Sequence, residues 1–248
     1  TITITVTVAN TNDESPVFTT GATHAVGVNE GGTTVGDYDV TDADTSDLFN
    51  DLSTCTDGST DAADFTPTKV DADTCRIAFS ATTDFENAID SDTDNEYVVT
   101  LIATDAGSNS DTITITVTVA NTNDESPVFG DGGTHAQSVN EGVTALGSDY
   151  DVTDADTSDL FNDISTCTDS GNDAGDFTPT KVDADTCRMA FAATPDYESA
   201  ADANTNNIYL VNLIATDAGG NADTIALTIT VVDLNDNSPV FADGDTDS

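Results

Sequence analysis

The chain has 248 residues, enough for one large all-β domain or two domains of ordinary size. Its 47 acidic residues outweigh 4 basic ones, which gives a formal net charge of −43 at pH 7. A surface this acidic repels phosphate groups, so nucleic acid and anionic membranes are excluded as partners. Hydrophobic residues make up only 37% of the sequence, which predicts a folded chain with a modest core.

No stretch of the sequence approaches the roughly 18 consecutive apolar residues of a transmembrane helix. The first residues also lack the charged and apolar regions of a secretory signal. We therefore predict no membrane insertion in this segment, and we expect the chain to be a fragment or a processed product.

The sequence is an internal repeat, because residues 1–18 are identical to residues 112–129. The match continues through the later acidic motifs and the cysteines, and a third copy of the linking phrase closes the second unit. The predicted boundaries are a terminal strand of a preceding repeat (1–9), a linker (10–14), domain 1 (15–120), a linker (121–125), domain 2 (126–232), and a linker with the start of a following repeat or tail (233–248).

The strongest strand signals are runs in which apolar residues alternate with polar ones, at residues 1–8, 97–103, 113–119, 209–215 and 225–231. This period of two is typical of a strand with one buried face. Each repeat ends in two such strands and contains shorter apolar segments before them. A repeat of about 110 residues has the size of a Greek-key β-sandwich, so the predicted fold class is all-β with tandem sandwiches. One helical turn is expected at Ser46 to Asn50 and at its copy.

The strand predicted at Thr1 to Val8 has no place in either domain, because each domain already owns a terminal strand of its own. We expect it to be the last strand of a preceding repeat, covered by a neighbour, since an unpaired apolar edge promotes aggregation. The chain is thus predicted to be a segment of a longer array of repeats.

The four cysteines fall as Cys55 with Cys75 and Cys167 with Cys187, at the same separation in both repeats. We predict one disulfide in each domain, which indicates an oxidising compartment and therefore a secreted or surface location. The alternative, a metal site formed by the first cysteine pair with His24, is poorly supported by a single histidine.

Paired carboxylates two residues apart recur at Asp42 and Asp44, Asp84 and Glu86, Asp154 and Asp156, and Asp196 and Glu198. In extended backbone, residues i and i+2 face the same side, so each pair offers hard oxygen ligands to one ion. Calcium requires six to eight oxygens, and it is satisfied only where several such pairs converge. Glu30, Asn123 and Asp124 are candidates for the remaining ligands.

Two other interpretations of the acidic residues are an EF-hand loop and a solvated acidic surface. An EF-hand loop starting at Asp42 fails, because Asp47 occupies the required glycine position and Ser53 the twelfth. For most aspartates, solvation of an acidic surface is the better explanation, and we apply it to Asp57, Asp90, Asp94 and Asp173.

The sequence resembles the cadherin repeat family along both units. The family's linker phrase D-x-N-D-N-x-P-x-F is intact at residues 233–241, and it recurs at 10–18 and 121–129 with Asn for the first Asp and Glu for the last Asn. Its base glutamate matches Glu30 and Glu141. Its D-x-D, D-R-E and late aspartate motifs follow in that order in both repeats. They match Asp42 and Asp44, Asp84 and Glu86, and Asp105 in the first repeat, and Asp154 and Asp156, Asp196 and Glu198, and Asp217 in the second.

The resemblance implies Ig-like sandwiches of about seven strands, with Ca²⁺ held between successive domains. The complete junction would use Glu30, Asp84, Glu86, Asn123, Asp124, Asp154, Asp156 and Asp217, with the carbonyls of Thr122 and Glu125. The junction before domain 1 would keep Asn12, Asp13, Asp42, Asp44 and Asp105. The junction after domain 2 would keep Glu141, Asp196, Glu198, Asn235 and Asp236.

The predicted function is a non-enzymatic, extracellular structural or adhesive protein, a segment of an array or fibre of cadherin-like repeats rigidified by calcium. Its expected partners are neighbouring repeats of the same chain or of identical chains, and a glycan or cell-surface ligand. The alternative is a spacer or carbohydrate-binding accessory module of a secreted multidomain enzyme. A catalytic role has little support, since the sequence has no nucleophile elbow, H-E-x-x-H motif or glycine-rich phosphate loop.

Overall fold

The structure is a computed structural model that describes residues 1–44, 51–156 and 161–240. The chain divides into two compact units, Thr1–Thr122 and Asn123–Ser248. The helical turn predicted for residues 46–50, most of its copy and the last residue of the third linking phrase, Phe241, lie outside the described residues. No helix in the described part is long and apolar enough to cross a membrane.

Unit 1 is built from strands and one short 3₁₀ helix, Ala62–Asp64. Its strands are β1 (Val17–Phe18), β2 (Thr23–Asn29), β3 (Thr34–Thr41), β4 (Leu52–Gly58), β5 (Phe65–Lys69), β6 (Thr74–Phe79), β7 (Glu96–Asp105) and β8 (Ser110–Ala120). They form two four-stranded sheets, with the orders β2-β8-β7-β4 and β1-β3-β6-β5. The predicted all-β fold is confirmed.

The long hairpin β7–β8 is the centre of the larger sheet. The two strands pair antiparallel from Glu96 opposite Thr118 to Thr104 opposite Ser110. Strand β2 runs parallel to β8, with Asn29 opposite Ala120. Because β7 and β8 are antiparallel, the carboxyl end of β7 and the carboxyl end of β8 lie at opposite ends of this sheet.

The core of unit 1 lies between the two sheets. The apolar residues that alternate along β7 and β8 are buried, as the period of two predicts. Phe65 and Phe79 stack with ring centroids 4.7 Å apart, and Tyr97 meets Phe79 edge-on at 5.0 Å. Aromatic pairs in these geometries stabilise a small core by more than their buried area alone accounts for.

Unit 2 repeats the architecture. Its strands are β9 (Val128–Phe129), β10 (Thr134–Asn140), β11 (Ala145–Thr153), β12 (Thr166–Ser170), β13 (Phe177–Lys181), β14 (Thr186–Phe191), β15 (Ile208–Thr216) and β16 (Ala222–Val232), with a 3₁₀ helix at Ala174–Asp176. The sheets have the orders β10-β16-β15-β12 and β13-β14-β11-β9. Phe177, Phe191 and Tyr209 reproduce the aromatic cluster of unit 1.

Both predicted disulfides are present, Cys55–Cys75 and Cys167–Cys187. In unit 1 the bond joins β4 of one sheet to β6 of the other, so it links the two layers of the sandwich. The alternative in which the first pair binds a metal with His24 is wrong, since both sulfurs are already bonded.

The strand predicted at Thr1 to Val8 does not form. These residues have no assigned strand, and Ile2, Ile4, Val6 and Val8 are at least 79% exposed. A strand needs a partner, and the two sheets described for unit 1 do not include this segment. Its assignment to a preceding repeat stays a prediction.

Candidate metal centres

The first candidate centre lies where unit 1 continues into the linker. Glu30, directly after β2, joins Asp84 and Glu86 so that one carboxylate oxygen of each lies within 4.8 Å of the others. Glu30 Oε1 accepts the N–H of Thr122 at 2.7 Å, and Oε2 accepts the N–H of Phe85 at 2.5 Å. The structure thus brings together three of the predicted ligands in what we call the exit cluster of unit 1.

Unit 2 has the same exit cluster, formed by Glu141, Asp196 and Glu198 within 4.8 Å. Glu141 Oε1 accepts the N–H of Leu234 at 2.6 Å, and Oε2 accepts the N–H of Tyr197 at 2.7 Å. These backbone donors, Leu234 first, hold the pKa of Glu141 below its ordinary value. The glutamate is therefore ionised in the fold and available to a cation.

A second kind of centre lies at the entry to unit 2. Asp154 and Asp156, after β11, converge with Asp217, after β15, within 4.8 Å, and we call this group the entry cluster of unit 2. Asp156 is 1% exposed and Asp217 is 2% exposed. Asp154 Oδ1 accepts the N–H of Asp156 at 3.1 Å, whereas Asp154 Oδ2 is buried and has no hydrogen-bond donor in the described part of the chain.

Asn123 fastens the linker to this entry cluster. Its Oδ1 accepts a hydrogen bond from Asn221 Nδ2 at 2.8 Å, and the same amide donates to Asp217 Oδ2 at 2.9 Å. Asn123 Nδ2 donates to the carbonyl of Phe161 at 3.1 Å. A side chain at Gly219 would overlap Asn123 Oδ1, so glycine is required there for close approach.

The corresponding residues of unit 1, Asp42, Asp44 and Asp105, have similar hydrogen bonds. Asp42 Oδ1 accepts the N–H of Asp44 at 2.9 Å, and Asp42 Oδ2 is buried without a donor among the described residues. Asn12 Oδ1 accepts from Asn109 Nδ2 at 2.7 Å, as Asn123 does from Asn221. Within the described residues, however, these three aspartates do not converge within 4.8 Å.

Several predicted ligands lie at the surface. Asp13, Asp124 and Glu125 are exposed, as are Asn235 and Asp236. The bridging amides Asn109 and Asn221 were not predicted, although they occupy equivalent positions after the late aspartate of each repeat, which is a usable signal.

The interpretation of Asp90 and Asp173 as solvated surface residues is wrong, since each is 4% exposed. Asp173 accepts the N–H groups of Ala203 and Leu210 with its two oxygens, at 2.8 and 2.6 Å. Asp61 is its counterpart in unit 1. Asp94 is exposed, as expected, and Asp57 is half-buried.

The donor chemistry of the clusters fits calcium. Each offers hard carboxylate oxygens, and two buried oxygens, Asp42 Oδ2 and Asp154 Oδ2, lack a donor in the described chain. The basic side chains are engaged elsewhere: Arg76 with Asp37, Arg188 with Asp149, and Lys69 and Lys181 with the carbonyls of Leu52 and Ile164. Buried carboxylates without a protein counter-charge favour a bound cation.

Solved structures of cadherin extracellular domains are similar to this chain. Protocadherin Gamma B7 extracellular domains 1–4 align with a TM-score of 0.61 and 18% identity over 92% of this chain and 53% of that one. Protocadherin Gamma B2 domains 1–5 align with a TM-score of 0.61 and 21% identity over 95% and 42%. Mouse Cadherin-23 EC22-24 aligns with a TM-score of 0.54 and 21% identity over 91% and 67%.

The chain therefore spans about half the length of the first of these structures. At such identities the likeness establishes the fold, and both units have the fold of cadherin-type repeats. No family model matches the sequence, and no curated protein matches it.

Proposed function

We propose that this chain is a segment of a non-enzymatic, extracellular structural or adhesive array whose cadherin-type repeats bind calcium at both ends. The observation that carries the proposal is the convergence of Asp154, Asp156 and Asp217 within 4.8 Å, two of them almost fully buried. Calcium would supply the positive charge that this cluster lacks. Neighbouring repeats of the same or identical chains are the proposed partners, with a glycan or cell-surface ligand as a further one.

The linker sequence supports a shared role for the two kinds of cluster. Thr122 donates to Glu30 of the exit cluster, and the next residue, Asn123, is held by Asn221 beside the entry cluster. In the arrangement that the cadherin resemblance implies, ions bind ligands of both clusters together with Asp124 and the carbonyls of Thr122 and Glu125. Binding would stiffen the succession of repeats, because carboxylates that otherwise repel one another gain a common counter-ion.

Calorimetry in chelator and in millimolar calcium tests the binding. Calcium at 100 times Kd stabilises a one-site protein by about 2.7 kcal/mol, so the melting temperature should rise. The Asp154→Ala/Asp156→Ala variant should lose most of this rise. Asp183→Ala/Asp185→Ala is the matched control, since this exposed pair has the same spacing in the same unit. An equal rise in all three proteins would contradict the proposal.

Small-angle scattering tests the stiffening. We expect a broad distribution of interatomic distances in chelator and a narrower one in calcium. The Asp154→Ala/Asp156→Ala variant should stay broad in both. Identical wild-type profiles in the two buffers would show that calcium does not stiffen the array, whatever its effect on stability.

A further inference from the structure

A loop of unit 1 that contributes nothing to the entry or exit clusters has carboxylates at every second position. It runs between Glu86 and β7 and contains Asp90, Asp92 and Asp94. One oxygen of each of these three carboxylates lies within 4.8 Å of the others. Thr93 (φ 59°) and Asn95 (φ 64°) have positive φ angles, so the backbone turns within this loop.

An unpaired buried oxygen points to a ligand here. Asp90 is 4% exposed, and its Oδ2 accepts the N–H of Asp94 at 2.9 Å. Its other oxygen, Oδ1, is buried and has no hydrogen-bond donor among the described residues. Such an oxygen is costly to bury unless a donor or a cation satisfies it.

The described surroundings of this loop add negative charge, and no basic side chain among the described residues is paired with it. Asp61 contacts the loop by accepting the N–H of Ser91 at 3.3 Å. Burial, and then the charges of Asp61 and Asp90, raise the pKa of the neighbouring Asp64. The two basic residues of the unit, Lys69 and Arg76, bind Leu52 and Asp37 instead.

We propose that Asp90, Asp92 and Asp94 hold one divalent cation within unit 1, separate from the clusters of the proposed function. Carboxylate oxygens suit hard divalent cations such as calcium and magnesium, and calcium is the cation tested here. The loop also follows the first five positions of the calcium-loop pattern D-x-[DN]-x-[DN], with Asn95 at the glycine position, but Leu101 replaces the twelfth-position glutamate. This inference does not depend on calcium at the entry and exit clusters.

Unit 2 contains a natural comparison. The equivalent loop starts at Asp202 and has Asn204 and Asn206 in place of Asp92 and Asp94, with the same positive φ at Thr205 and Asn207. Both oxygens of Asp202 accept backbone N–H groups, from Asn206 at 2.9 Å and from Asn207 at 3.1 Å. With two fewer carboxylates, this loop should bind calcium more weakly than the loop of unit 1.

The test replaces Asp92 and Asp94 of unit 1 by asparagine, the residue at the equivalent positions of unit 2. Equilibrium dialysis of the full chain in millimolar calcium should show one bound ion fewer per chain in Asp92→Asn/Asp94→Asn than in the wild type. Asp71→Asn/Asp73→Asn, an exposed pair with the same spacing and charge change in the same unit, should keep the wild-type number. Equal numbers in all three proteins would overturn the proposal, even if calcium binds the entry and exit clusters.

Unfolding in chelator separates ion loss from misfolding. Replacing Asp92 and Asp94 by Asn removes repulsion around Asp90, so the variant should melt no lower than the wild type without calcium. In calcium it should melt lower, because it lacks one ion that binds the folded state. A variant that melts lower in chelator and binds the wild-type number of ions would show that the carboxylates serve only as hydrogen-bond acceptors, which would also overturn the proposal.

Discussion

Glu141 Oε1 accepts the backbone N–H of Leu234 at 2.6 Å and thereby fixes the chain where it leaves β16. Glu30 makes the same contact with Thr122 in unit 1. In both units the glutamate that follows the second strand accepts a hydrogen bond from the backbone that follows the last strand. The exit clusters are therefore held in place by the protein itself.

Replacing Glu141 by Gln should weaken unit 2 most near neutral pH. The pKa of Glu141 is lowered from 4.5 in the fold, so its ionised form contributes stability above that value. This contribution is lost as the pH falls through the lower, folded-state pKa. In chelator, the melting temperatures of the wild type and Glu141→Gln should differ at pH 7 and approach each other below about pH 4.5. Glu96→Gln, with an exposed side chain, is the control, and a pH-independent difference would contradict the prediction.

Replacing Asp173 by Ala should destabilise unit 2, because the N–H groups of Ala203 and Leu210 lose their acceptors. Each of these part-buried hydrogen bonds has a charged acceptor and contributes about 1.5–3 kcal/mol. Asp173→Asn keeps one acceptor oxygen and should lose less. Denaturant unfolding measures both, and an alanine variant as stable as Asp169→Asn, a change at a less buried aspartate, would show that these hydrogen bonds contribute little.

The alternating pattern was sufficient to predict which residues of β7 and β8 are buried, because a strand exposes and buries side chains with a period of two. The order of the acidic motifs likewise anticipated the convergence at Glu30, Glu141 and Asp217. At Thr1 to Val8 the same pattern occurs without an assigned strand, because alternation does not say whether a partner strand is present.

The buried aspartates could not be separated from the solvated ones in so acidic a sequence. Asp173 accepts one backbone N–H from a loop residue, Ala203, and one from a residue of β15, Leu210, which lie 30 and 37 positions away. The role of Asn221 depends on a contact with Asn123 across 98 positions. The repeat marks Asn109 and Asn221 as equivalent positions, but composition and spacing do not identify their contact partners.

Removing the disulfide of unit 1 should lower the stability of that unit without changing its fold. The Cys55–Cys75 bond closes a loop with a sequence separation of 20. In the chain-entropy model such a loop contributes about 3 kcal/mol. The Cys55→Ser/Cys75→Ser variant should unfold at lower denaturant concentration with an unchanged circular dichroism spectrum. Reduction of the wild type breaks both disulfides, so it should produce this loss of stability together with that of unit 2. Reduction of the variant should add only the loss caused by breaking Cys167–Cys187.

Enlarging Gly219 should weaken calcium binding at the entry cluster of unit 2. A methyl group at this position overlaps Asn123 Oδ1, so Asn123 must leave its contact with Asn221. The calcium-induced rise in melting temperature should therefore shrink in Gly219→Ala. Gly175→Ala is the control, because a Cβ there meets no atom within 4 Å. A full calcium response in Gly219→Ala would show that Asn123 is dispensable.

Tyr150 should titrate well above the ordinary tyrosine pKa of 10.0. Its side chain is fully buried in unit 2, and its hydroxyl accepts a hydrogen bond from Gln137 Nε2 at 3.2 Å. Burial, and then the charge of Asp131, raise its pKa to about 12. Absorbance titration should therefore show a tyrosinate that forms only near pH 12, and this step should be missing in Tyr150→Phe. Tyr197→Phe, a change at a side chain that is 38% exposed, is the control and should keep this step.

The same shift predicts alkaline destabilisation. Between the ordinary value of 10.0 and the folded-state value of about 12, the unfolded chain releases the Tyr150 proton while the folded chain keeps it. The stability that depends on neutral Tyr150 is complete below pH 10.0 and is lost as the pH rises to about 12. Denaturant unfolding at intervals across this range should show a smaller loss in Tyr150→Phe than in the wild type, because phenylalanine has no proton to release. Parallel losses in the two proteins would mean that Tyr150 ionises at an ordinary pKa.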